Sequence, residues 1–232
     1  MENNNQIQLF IAGDSTVSDC PPNEEPRAGW GQVIGSYFSD DVKVNNHAVG
    51  GRSSNSFIKE GRLEQIVKCL KTGDYLFIQF GHNDQKSFGT EPYSTYQSYL
   101  AQYIDGAREK GATPILITPM HRRTFDDKGK IVNSLGDYPK AMIDLAKETN
   151  VLIIDLWGKS KLLYESLGPK ACKKLFIWFE PDEQSNYPEG IRDDTHFCEE
   201  GAILLADIIV TAVKEYIPEL SRFLEIRKGD MN

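Results

Sequence analysis

Five short apolar runs, spaced so that helix-period segments fit between them, constrain this chain more than any other feature. They are "IQLFIAG" (7–13), "VKVNNHAVG" (42–50), "DYLFIQFG" (74–81), "TPILITP" (113–119) and "VLIIDL" (151–156). The third is too apolar to leave one face in water. Between them, "GWGQVIGSYFS" (29–39) carries Trp30, Val33, Ile34 and Tyr37 at helical spacing, and "GRLEQIVKCLK" (61–71) carries Leu63, Ile66, Val67 and Leu70. Longer helices are expected over "YSTYQSYLAQYIDGAREKG" (93–111), around 137–149, and over "EEGAILLADIIVTAVKEY" (199–216), whose acidic first turn suits the helix dipole. Strands alternating with helices predict βαβ units and a parallel sheet covered on both faces. The 232 residues show no linker and no repeat, so residues 1–232 read as a single α/β domain.

In such sheets ligands bind at the carboxyl ends of the strands, and the polar residues collect there. They are Gly13-Asp14-Ser15, Gly50-Gly51-Arg52-Ser53, Gly81-His82-Asn83-Asp84 and Met120-His121-Arg122. A net charge of −8 argues against nucleic acid and anionic membrane surfaces as partners. The four cysteines form no CxxC pair, which excludes zinc ribbons and thioredoxin-type centres, and no histidine has a metal-like ligand spacing. "MENNNQIQLF" lacks the basic and apolar regions of a signal peptide, and no apolar run approaches the roughly 18 residues of a membrane span. The expected setting is therefore cytoplasmic.

A serine nucleophile needs a base, a group that orients the base, and donors for the oxyanion. Ser15 stands at the end of the first strand. Of four histidines, His196 in "IRDDTHF" has an acid at close spacing, Asp193, and the two can meet on one turn before the last helix. Asp194 is the candidate cap of that helix. Asn83, after a glycine that lets the backbone turn, can point its amide into the cleft, and Gly51 can offer a bare N–H. Each piece alone also fits a turn or a helix cap.

Together and in this order, these residues resemble the SGNH (GDSL-type) hydrolase family. "GDSTV", "GWGQ", "AVGGRSS", "GDYLFIQFGHND" and "DDTHF" further resemble its rhamnogalacturonan acetylesterase branch. The resemblance implies a flavodoxin-like three-layer α/β/α sandwich with a five-stranded parallel sheet. It implies Ser15 as nucleophile, Asp193 and His196 as its partners, and Ser15, Gly51 and Asn83 as the oxyanion hole. The implied activity removes acetyl groups from pectic oligosaccharides, without cofactor or metal. Other SGNH activities, on xylan acetates, lysophospholipids or thioesters, remain alternatives. His82 is expected to brace its loop. Arg52 and Arg122 are candidate contacts for a uronate carboxylate. Trp30, Phe57 and Trp178 are of a type that stacks on sugars, although Trp30 and Phe57 read as core. The segment 175–194 is an expected cleft wall.

Overall fold

The computed structural model describes residues 6–87 and 89–227. The first five residues of the N-terminal stretch judged for a signal lie outside them. In chain order the elements are β1 (Ile7–Gly13), β2 (Arg27–Ala28), α1 (Trp30–Val33), β3 (Val42–Asn46), α2 (Ser54–Lys59), α3 (Arg62–Cys69) and β4 (Tyr75–Gln79). Then follow α4 (Gln97–Glu109), β5 (Thr113–Ile117), α5 (Tyr138–Glu148), β6 (Leu152–Ile154), α6 (Leu156–Ala171), β7 (Phe176–Phe179), β8 (Ile191–Cys198), α7 (Glu199–Tyr216) and α8 (Pro218–Ser221).

The main sheet has the order β3-β1-β4-β5-β6, and every pairing is parallel. Alternation along β1 shows why both faces must be covered. Leu9 and Ile11 enter one apolar layer with Trp30, Leu205 and Ile209, whereas Phe10 and Ala12 enter the other with Ile66, Leu100 and Met142. Helices α3, α4 and α5 supply one layer; α1, α6 and α7 supply the other. This is the expected sandwich. The chain leaves β1 toward β3 on one side and returns to β4 on the other, so the order reverses at β1. The carboxyl end of β1 is thus the switch point where a crevice forms, and Ser15 follows it directly.

Several expectations need correction. The helix expected over 29–39 is only α1 followed by a 3-10 turn at Ile34–Tyr37. Its glycines serve packing: a Cβ on Gly31 would lie 2.5 Å from Val17 O. With no Cβ there, Trp30 N and Gly31 N donate to Thr16 O and Val17 O at 3.2 and 3.1 Å, fastening α1 to the turn that carries Ser15. The expected helix over 93–111 begins as a π-turn at Pro92–Tyr96. Helices α2 and α6 were not anticipated. Nor was a second sheet, antiparallel, of order β2-β8-β7. Asp193 and His196 lie on its central strand rather than in a free loop before α7. The N-cap of α7 is Cys198, not Asp194.

Among the described residues no helix is long and apolar enough to cross a membrane.

Candidate active site

Asp14 folds the turn that presents Ser15. Its carbonyl accepts Val17 N (3.1 Å) and Ser18 N (3.0 Å), and its Oδ1 accepts Thr16 N (2.9 Å) and Thr16 Oγ1 (2.8 Å). Neither the Ser15 nor the Gly51 N–H is taken by an acceptor among the described residues. Gly51 has φ +79°, the left-handed region that favours glycine.

Ser15 Oγ lies 2.8 Å from His196 Nε2, and His196 Nδ1 lies 2.6 Å from Asp193 Oδ2. With the Nδ1 proton donated in a hydrogen bond to the ionised carboxylate, Nε2 is free to accept the Ser15 hydroxyl. A hydroxyl so bonded to an oriented imidazole is the arrangement that activates an oxygen nucleophile. The second Asp193 oxygen accepts Thr195 N (2.7 Å) and His196 N (3.0 Å). Burial pushes the Asp193 carboxyl up. The hydrogen bond and charge of His196, with these two N–H groups, outweigh it and hold the carboxyl at about 2.

The pair occupies a bulge. Phe176 pairs with Phe197 and Trp178 with Arg192, so the stretch from Asp193 to His196 is left over between two ladder positions of β7. A bulge re-aims side chains that regular pairing would send to alternate faces. Asp194, within it, accepts Arg123 Nε (2.7 Å), Arg123 Nη2 (2.6 Å) and Trp178 Nε1 (2.8 Å).

Asn83 Nδ2 donates to Arg52 O at 3.1 Å, which uses one amide proton and leaves the other for the cleft. The next residue, Asp84, is buried and accepts Ser54 N (3.1 Å), Ser54 Oγ (2.5 Å) and Thr90 Oγ1 (3.3 Å). It ties the start of α2, and with it the Gly51 loop, to the Asn83 loop. Burial pushes its carboxyl up to about 6, against the bonds from Ser54 and helped by the charge of Asp14.

Ser15, Gly51, Asn83 and His196 all line one cleft of about 590 Å³. The wall is built by Ser18–Pro21, Glu24 and Arg27, not by the expected segment 175–194. That segment acts from behind: Asn186 Nδ2 donates to Pro22 O (3.0 Å) and Glu25 O (2.9 Å), and Tyr187 Oη to Glu24 O (2.7 Å).

The two candidate arginines separate. Arg52 is outside the lining, with Nε on Glu60 (3.1 Å) and Nη1 on Gly50 O (2.9 Å). Arg122 lines the cleft, but its donors face Thr195 Oγ1 (3.1 Å), Ser134 O (3.3 Å) and His82 O (3.4 Å). Trp30 and Phe57 are fully buried, and Trp178 lies under Arg123 and Lys173. Sequence reasoning missed the buried contact of Asp14 Oδ2 with His82 Nδ1 at 3.5 Å. Nothing in sequence signals that residues so far apart meet, except that each adjoins a candidate site residue. Among the described residues no group of three or more His, Cys, Asp or Glu side chains is placed to hold a metal ion.

The model of the GDSL-like lipase/acylhydrolase family matches residues 11–202. The rhamnogalacturonan acetylesterase RhgT of Bacillus subtilis is 55% identical over 223 residues, covering 96% of each chain. Its probable rhamnogalacturonan acetylesterase YesY is 42% identical, over 89% of this chain and 92% of that one. Among solved structures, B. subtilis YxiM superposes with TM-score 0.78 at 30% identity over 90% of this chain, which spans 56% of the YxiM chain. The chain therefore belongs to the GDSL-like lipase/acylhydrolase family of ester hydrolases, in its rhamnogalacturonan acetylesterase branch.

Proposed function

We propose that this protein is a serine acetylesterase that removes O-acetyl groups from rhamnogalacturonan-type oligosaccharides, with residues 1–232 working as one domain. The observation that carries the reading is the 2.8 Å contact of Ser15 Oγ with His196 Nε2, backed by the 2.6 Å contact of His196 Nδ1 with Asp193. Ser15 Oγ attacks the acetyl carbonyl carbon while its proton passes to His196 Nε2. The oxyanion is met by the N–H groups of Ser15 and Gly51 and the free amide proton of Asn83. The bond to the sugar oxygen then breaks, that oxygen takes the proton from His196, and the acetyl group stays on Ser15. Water, deprotonated by His196, releases acetate and restores the hydroxyl. Donors fixed where charge develops supply the largest share of such catalysis.

The substrate class is proposed from the 55% identical rhamnogalacturonan acetylesterase RhgT. Acetylated rhamnogalacturonan oligosaccharides should give a higher kcat/KM than acetylated xylo-oligosaccharides. Equal or better turnover of the xylan fragments would remove the pectic assignment and leave a general sugar acetylesterase.

A further inference from the structure

The residue directly before each of three proposed catalytic groups takes part in one second network. Asp14 precedes Ser15, His82 precedes Asn83, and Thr195 precedes His196. Asp14 Oδ2 faces His82 Nδ1 at 3.5 Å, and both side chains are buried. His82 Nε2 lies 3.1 Å from Met120 O, so a proton there makes it the donor. His82 O accepts Arg122 Nη2 at 3.4 Å, and Arg122 Nε donates to Thr195 Oγ1 at 3.1 Å. The Gln85 amide, oriented by its hydrogen-bond network, sets its oxygen 2.7 and 2.8 Å from Arg122 Nη1 and Nη2. Arg122 thus bridges the strand carrying the base and the loop carrying the oxyanion donor.

The chemistry of its partners makes the guanidinium more than filler. The acceptors that touch it, on Thr195, Ser134, His82 and Gln85, are all neutral. The carboxylates acting on its charge are those of Asp14 and Asp193, from longer range. Holding a half-buried cation without a contacting carboxylate is costly. A planar fork of five donors, however, can fix several acceptors at set angles, which an ammonium cannot.

We infer that Arg122 is a positioning residue of this esterase: it sets the distance between the Ser15–His196 pair and the Asn83 amide, and does not hold a substrate carboxylate. The inference rests on the proposed roles of Ser15, His196 and Asn83. It is tested by measuring Arg122→Ala and Arg122→Lys on two substrates, neutral 4-nitrophenyl acetate and acetylated rhamnogalacturonan oligosaccharide. A misplacement of the reacting groups costs up to about 10²-fold. Both variants should therefore lose kcat by a similar factor of roughly 10 to 100 on both substrates, with KM changed by less than about threefold. Lysine should not restore the rate, because it keeps the charge and loses the fork.

Retained kcat on 4-nitrophenyl acetate, with a raised KM confined to the acidic oligosaccharide, would overturn the inference and make Arg122 a uronate contact. Recovery by lysine would overturn it too, since charge alone would then suffice. Should Arg122→Ala not fold, Thr195→Val removes one arm of the bridge and should lower kcat in the same way; full kcat in that variant contradicts the bridge. Ser15→Ala serves as the control: activity surviving there sinks the site reading itself, whereas an inactive Ser15→Ala beside an unaffected Arg122→Ala sinks only this inference.

Discussion

A side-chain amide has two protons to give, and in the free enzyme one of those on Asn83 is already held by Arg52 O at 3.1 Å. That bond fixes the plane of the amide before substrate arrives, so the remaining proton is aimed without further loss of rotamer freedom. A donor needed chiefly when charge develops on oxygen affects the transition state more than the bound substrate. Asn83→Ala should accordingly lower kcat by about 10² to 10³ while KM moves little. Steady-state kinetics on 4-nitrophenyl acetate check it. A raised KM at constant kcat would make Asn83 a substrate-binding residue instead.

Elements differ in how openly the sequence announces them. β1 and β4 are legible because a strand buried on both faces needs a continuous apolar run, and "IQLFIAG" and "YLFIQ" supply one. The Ser15, Asp193 and His196 positions are legible because their types and spacing are set by chemistry. α6 was missed because its inward positions, Leu156, Ser160 and Tyr164, mix polar with apolar, and because Gly168-Pro169 interrupts the pattern. Its clearest signal is Asp155, whose side chain accepts Gly158 N at 2.9 Å as an N-cap. β8 was missed because "IRDDTHFC" is mostly polar and bulged, with only Phe197 fully buried. What holds that bulge is the ion pair of Asp194 with the nearly buried Arg123, 9% exposed at its side chain. Asp194→Ala would leave this guanidinium without its carboxylate. Breaking a buried pair costs about 3 to 5 kcal/mol; discounted for the exposed side of Asp194, roughly 2 kcal/mol is expected. Urea unfolding measures it, and a change below about 0.5 kcal/mol would show that Trp178 and the backbone hold the bulge unaided.

Across the whole molecule, two buried groups give stability opposite slopes with pH. Burial drives the His121 ring, stacked on Trp157, down to about 4. A depressed histidine favours the neutral form in the fold, so its contribution is complete above the unfolded value near 6.5 and is lost as pH falls toward 4. Asp84, pushed up to about 6, does the reverse. Its contribution is complete below the unfolded value near 3.9 and is lost as pH rises through 6. His121→Phe should therefore flatten the fall of Tm between pH 6.5 and 4, and Asp84→Asn should steepen it. Thermal melts across that window settle the sign, and identical slopes in both variants would contradict it. The chemistry assigned to Ser15 is reached most directly by trapping the covalent intermediate. Rapid acid quench during turnover of 4-nitrophenyl acetate, followed by peptide mass spectrometry, should place a single acetyl group on Ser15 and none on the Ser15→Ala protein. Acetyl on another side chain, or steady turnover by Ser15→Ala, would contradict the account.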